Sequence, residues 1–151
     1  MKLQNGSDVR GVAIAGVPGE DVTLVPEAVN RIAAGFAKFL AKKLNKQTSD
    51  LRIAVGHDSR VSAGMMKEAV FGGLLGQGVH VTDCGLASTP AMFMSIIFED
   101  THMDGSIMIT ASHLPYNRNG LKFFTVDGGL EKSEVKEVLT LASGLSAMAV
   151  S

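Results

Sequence analysis

The chain has 151 residues, enough for one compact domain that buries roughly 68–70% of its unfolded surface and needs no disulfide or metal to fold. Hydrophobic residues make up 46%, charged residues 19%, and the formal net charge is −1. This balance excludes the basic footprint of a nucleic-acid binder and the acidic run of a disordered tail, and the absence of Trp argues against a base-stacking surface.

No apolar run approaches the about 18 residues of a membrane span, and the opening MKLQNGSDVRG lacks the apolar core of a secretory signal. The one cysteine, Cys84, permits no internal disulfide. A reducing compartment is therefore expected: the cytoplasm, or an organelle stroma if a transit peptide has been removed.

In chain order, 9–14 reads as a short strand broken by Gly16-Val17-Pro18-Gly19. From Pro26 to Leu44 the apolar residues Val29, Ile32, Ala33, Phe36, Leu40 and Leu44 recur at helical spacing. Pro26 suits the first turn of that helix, and Lys42 and Lys43 suit the last. Leu51–Val55 predicts a second strand, and a helix over 63–75 follows, with Ser62 as its cap and Gly76 to Gly78 as its stop. A third strand is expected at 79–83. Pro90 opens a third helix toward Phe98, strands follow at 105–109 and 121–126, Asp127-Gly128-Gly129 makes a turn, and a helix over 133–141 frays or shifts at its end.

Alternating strands and helices imply right-handed crossovers. The expected architecture is a single domain over 1–151, a three-layer α/β/α fold with a mainly parallel mixed sheet. No helix separates the last two strands, so the last is expected to run antiparallel at the edge. Ligands of such sheets gather at the C-terminal strand ends. The polar loops 56–60, 85–89 and 110–113 all fall at such ends.

Gly105–Ile109 delivers Thr110-Ala111-Ser112-His113 into a loop rich in turn formers. Ser112 is the leading candidate for chemistry, because a hydroxyl at a rigid strand end suits group transfer. From the residues alone it reads more readily as a turn or cap residue. A Ser112–His113 hydrolase pair fits poorly, since adjacent side chains diverge and no Gly-x-Ser-x-Gly elbow is present. Arg10 and Lys122, taken alone, read as ordinary surface cations. Glu99, Asp100, His102 and Asp104 match no metal-ligand spacing and read as a solvated loop. The eight methionines read as core filler, and Cys84 as a small buried hydrophobe. Glycines 72, 73, 76 and 78 lie in and after a helix rather than before one, so they are not a phosphate loop.

Four motifs in order carry a resemblance: Asp8-Val9-Arg10-Gly11; Val55-Gly56-His57-Asp58-Ser59-Arg60; Asp83-x-Gly85-Leu86-x-x-Thr89-Pro90; and Thr110-Ala111-Ser112-His113-x-Pro115 with Asn119-Gly120-x-Lys122. Over about residues 8–125 the chain resembles the first domain of the α-D-phosphohexomutases, the phosphoglucomutases and phosphomannomutases. The resemblance implies that Ser112 carries a phosphate and exchanges it with a hexose phosphate of glucose or mannose. A bisphosphorylated sugar, glucose or mannose 1,6-bisphosphate, is then the intermediate and activator.

It further implies Arg10, Lys122 and His113 as catalytic partners of Ser112, and Arg10, Asn119 and Lys122 as phosphate or substrate contacts. Asp58 and Arg60 are implied as loop supports. Mg²⁺ is expected, with the Ser112 phosphate as one ligand and the others from a second domain. The family's Asp-Gly-Asp-Gly-Asp-Arg loop is missing from this sequence, so domains II–IV are expected to lie outside the chain, which alone should be inactive. Two departures stand out: His57, where the family commonly has Arg, and Leu114, where it often has Asn. A rival reading is a non-catalytic sugar-phosphate-binding module, dimerising through the exposed domain face. Neither nucleic acid nor membrane is an expected partner.

Overall fold

Residues 105–109 and 53–56 are buried on both faces, which requires cover on both sides of the sheet. In the computed structural model they lie side by side in the middle of one mixed sheet. The structure describes residues 4–5, 8–13, 23–58, 63–86, 103–110, 118–125 and 127–145. Its strands are β1 (Gln4–Asn5), β2 (Asp8–Val12), β3 (Arg52–His57), β4 (His80–Leu86), β5 (Gly105–Ile109), β6 (Arg118–Thr125) and β7 (Gly128–Gly129). Its α-helices are α1 (Pro26–Leu44), α2 (Ala63–Gly76) and α3 (Lys132–Ser143).

The sheet order is β1-β2-β6-β5-β3-β4, with β7 pairing β6. β3 is parallel to β4 and to β5, whereas β6 is antiparallel to both β5 and β2. Strands β2 to β5 thus share one direction and β6 opposes them. The antiparallel direction agrees with the expectation; the expected edge position does not hold. β6 lies inside the sheet, because β2 comes back to pair with its free side. It also begins three residues before the expected start, with Gly11 opposite Asn119 and Val12 opposite Arg118. The supposed turn at 127–129 contributes β7, which closes a tight hairpin on Phe124 and Thr125 with Gly128 at φ 105°.

Strand alternation divides the core. Val9, Ile53, Val55, Ile107, Ile109, Leu121 and Phe123 face one side and pack with α1, α2 and α3. Ala54, Met108 and Phe124 face the other side and form a second buried cluster with Met103. Side chains on both faces of the central strands are thus buried, as in a three-layer domain. The expected helix from Pro90 and the cap at Ser62 lie outside the described residues. Among the described residues no helix is long and apolar enough to cross a membrane.

α1 is the spine of its layer. Pro sits at its first turn, and Asn45 at φ 55° closes it, with Lys46 N donating to Ala41 O at 2.9 Å. A Cβ on Gly73 of α2 would stand 2.1 Å from Asn30 O, and one on Gly35 of α1 would stand 2.7 Å from Val138 O in α3. Two glycines therefore let backbones approach on either flank of α1. Lys42 and Lys43 add ion pairs to Glu137 and Glu134 across α1 and α3. α3 does not fray as expected. A capping box between Glu131 and Glu134 starts it, and Val135, Val138, Leu139 and Ala142 bury its inner face through the last turn.

At the far edge, Lys67 of α2 pairs with Asp83 of β4. That contact, helped by the Gly85 N–H donated to Asp83 Oδ1 at 2.8 Å, holds the carboxyl below its usual range against some desolvation. Cys84 beside it is exposed rather than buried as expected, and the partial burial of its sulfur and the Asp83 charge push its thiol up.

Two outcomes follow from this packing. Gly73→Ala and Gly35→Ala should each lower stability by about 1–3 kcal/mol in urea unfolding, because backbone atoms block the new methyl. Gly64→Ala, whose Cβ would meet nothing within 4 Å, should cost none. Lys67→Gln should return the Asp83 carboxyl toward its reference value of 3.8 in a ¹³C NMR titration. A lowered carboxyl stabilises above its unfolded value and loses that contribution as pH falls. The stability gap between wild type and Lys67→Gln should therefore be open at neutral pH and close as the pH drops below 3.8.

Candidate active site

β2 is short and polar at alternate positions, so Asp8 and Arg10 project from the same face. That face is opposite the helices, since Val9 between them enters the helix-side core. Arg10 pairs with Gly120 of β6, and Lys122, two residues on, pairs with Met108 of β5. The pairing puts Asp8, Arg10 and Lys122 on one face around a glycine. A Cβ on Gly120 would stand 2.3 Å from Val9 O and 2.9 Å from Arg10 Cγ, so only glycine allows the strands this approach.

Asp8 joins the two cations. Arg10 donates a terminal guanidinium N–H to Asp8 Oδ2 at 3.3 Å, and Lys122 Nζ lies 3.2 Å from Asp8 Oδ1. The lysine contact is a charge contact, out of line for a hydrogen bond. Asp8 Oδ1 and Arg10 Nε are accordingly the buried side-chain atoms left without a hydrogen-bond partner among the described residues. Lys122 is not the exposed cation the sequence suggested. Its side chain is 29% exposed and paired with a nearly buried carboxylate.

At the strand ends a second set of contacts fixes the entry to the 111–117 segment. Asp58 N donates to Ile109 O at 3.1 Å, Thr110 N donates to Gly120 O at 3.0 Å, and Thr110 Oγ1 donates to Asp58 Oδ2 at 2.8 Å. The end of β5 is thus tied to β3 on one side and β6 on the other. His57 Nδ1 lies 2.8 Å from Asp58 O, and a carbonyl can only accept, so that nitrogen carries the proton. Asn119 is fully buried, and its Oδ1 accepts the N–H of Gly120 at 2.9 Å.

Ser112, His113, Leu114 and Arg60 lie outside the described residues. Of the proposed site residues, the structure brings Arg10 and Lys122 together, and it sets Asp58 and Asn119 at the same end of the sheet. Asp8 and Thr110 escaped notice as individual site residues. The alternation Asp8-x-Arg10 on one strand face was the available signal for the first, and the polar side chain closing an apolar strand was the signal for the second.

The chemistry open to this arrangement is anion handling: two cations on one face, one with a free buried N–H. Among the described residues no three His, Cys, Asp or Glu side chains converge to hold a metal. Asp104, considered above for such a cluster, instead binds Lys46 Nζ at 2.9 Å and accepts the Arg52 N–H at 2.8 Å.

The sequence model described as phosphoglucomutase/phosphomannomutase, alpha/beta/alpha domain I, matches residues 1–143. The chain is 32% identical over 143 residues to a phosphoglucosamine mutase of Lactiplantibacillus plantarum, covering 92% of this chain and 30% of that relative. It is 39% identical over 137 residues to a phosphoglucosamine mutase of Nautilia profundicola, covering 91% and 28%.

In structure it matches a protein from Thermus thermophilus assigned as a phosphomannomutase, with TM-score 0.71 and 26% identity over 94% of this chain and 30% of that one. A phosphoglucomutase/phosphomannomutase family protein from Burkholderia thailandensis shares the fold with TM-score 0.73 at 20% identity, over 96% and 31%. The chain spans about 30% of the length of the curated relatives it matches. With residues 1–143 of its 151 matched by the family's first-domain model, the chain belongs to the phosphoglucomutase/phosphomannomutase family as its α/β/α domain I.

Proposed function

We propose that this domain is the phosphate-carrying part of a longer phosphohexomutase, with Ser112 as the carrier. The observation that supports it best is the Asp8–Arg10–Lys122 cluster, built on the strands that flank the Ser112 segment on its 118–122 side. Ser112 is two residues beyond Thr110, whose backbone and hydroxyl are both bonded to neighbouring strands. A carrier serine needs this kind of fixed base more than it needs a strong general base, because phosphoryl transfer depends on alignment and on compensating charge.

In the proposed reaction the P–O bond to Ser112 Oγ breaks as a bond forms to a sugar hydroxyl oxygen, which gives up its proton. The bisphosphorylated sugar then returns its other phosphoryl group to Ser112 Oγ. Lys122, ion-paired with Asp8, is suited to balance charge on the moving group. Arg10 offers its fork to the same oxygens, and His113 is proposed as a proton partner. Asn119 and Asp58 keep the strand ends in place.

The relatives named phosphoglucosamine mutase shift the proposed sugar from glucose or mannose to glucosamine phosphate. Mg²⁺ in the complete enzyme would polarise the phosphoryl oxygens. The described residues do not form a cation site of their own, so its protein ligands would come from elsewhere in the longer protein.

Intact-mass analysis followed by peptide mapping should find an adduct of about +80 Da at Ser112; a phosphate found only elsewhere would overturn the assignment. Ser112→Ala in the full-length parent should lower turnover of glucosamine phosphate by at least about a thousandfold, whereas the 151-residue chain alone should show none. Full turnover by the Ser112→Ala parent would end the proposal.

A further inference from the structure

Asp8 sits where the two cations of the site meet, and its contacts are poor ones. A carboxylate that served only to brace an arginine would be expected to take the guanidinium side-on, through Nε and a terminal nitrogen together. Asp8 takes one terminal nitrogen at 3.3 Å and leaves Nε unused. Its other oxygen lies 3.2 Å from Lys122 Nζ but is not aligned with it. Two complementary buried atoms, an acceptor and a donor, are thus both unsatisfied within one cluster. Such orphans are rare in a folded interior and call for a physical reason.

We propose that Asp8 is an internal counter-ion that holds Arg10 and Lys122 side by side for an incoming phosphoryl group, and that it competes with that group for them. A phosphoryl group has three oxygens and up to two charges. It can engage the Nε–H and a terminal N–H of Arg10 as a fork while a third oxygen meets Lys122. One carboxylate in this position manages less. Asp8 prevents the two cations from repelling one another when no phosphate is present, and yields them when one arrives. Anion affinity is thereby set below what the cations alone would give, as suits a carrier that must give up its group and take one back in each cycle. The identity of the physiological group rests on the Ser112 reading; the competition itself does not.

The test follows the Arg10 Nε–H resonance of the ¹⁵N-labelled chain while inorganic phosphate is added, with potassium chloride at matched ionic strength as the control. Phosphate should move that resonance saturably and chloride should not. Asp8→Asn should lower the half-saturating phosphate concentration by roughly tenfold, the effect of removing one nearby, partly screened charge. Asp8→Ser should do the same, and whichever variant keeps the native amide spectrum decides. Asp8→Glu should restore wild-type affinity, and Lys122→Gln should raise the half-saturating concentration.

An Nε–H that ignores phosphate, or responds equally to chloride, overturns the proposal. So does a folded Asp8→Asn or Asp8→Ser chain that binds phosphate no more tightly than wild type. The Ser112→Ala chain should still show the Arg10 response. A Ser112→Ala parent that stayed active would refute the carrier serine without touching the competition.

Discussion

The approach of Val9 to Gly120 governs the rest of the site. A side chain larger than hydrogen at position 120 would meet the Val9 carbonyl at 2.3 Å, so the spacing of β2 and β6 depends on that glycine. That spacing places Arg10 opposite a residue with no side chain and leaves room for its guanidinium beside Asp8. Lys122 comes from the same strand two residues later, on the same face by the period of the pleat. The cluster is therefore a product of sheet register rather than of a binding loop. Register in a buried sheet is strongly specified, because a slip of one residue would turn Arg10 and Lys122 into the helix-side core.

The helix layer stiffens this arrangement from behind. α1 packs against α2 and α3 through two glycine contacts, Gly73 on Asn30 O and Gly35 on Val138 O. The Phe36 and Phe123 rings pack with centroids 4.7 Å apart, joining α1 directly to β6. Phe123 and Lys122 are adjacent, so one holds the strand to the core while the other serves the opposite face. Polar chemistry on one side of β6 is thus supported by apolar packing on the other.

Much of this was legible in the sequence because it is local. α1 was read from Pro26 to Leu44 by helical periodicity, and the structure has the same bounds. The apolar run Ile107-Met108-Ile109 places a strand at 105–109, and β5 has the same bounds. The misses share a cause: they depend on partners distant in sequence. Residues 118–120, Arg-Asn-Gly, have turn composition, yet they form the start of β6 because β2 pairs with them across more than a hundred residues. The interior position of β6 follows from the same return of β2. Cys84, expected to be buried at a strand end, lies within β4 at the rim of the described sheet and is exposed. In the site, Arg10 and Lys122 emerged from motif resemblance, whereas Asp8 became visible only once register set it between them.

The last strand on that side has a consequence for association. Among the described residues β4 has β3 on one flank and nothing on the other. Its free backbone could template strands from other molecules. Three features blunt it: the ion pair of Asp83 with Lys67, the left-handed turn at Gly85 with φ 62°, and the register break opposite Val55 and Gly56. Charge and twist at this rim thus make the described edge a poor template for strand pairing with a second copy.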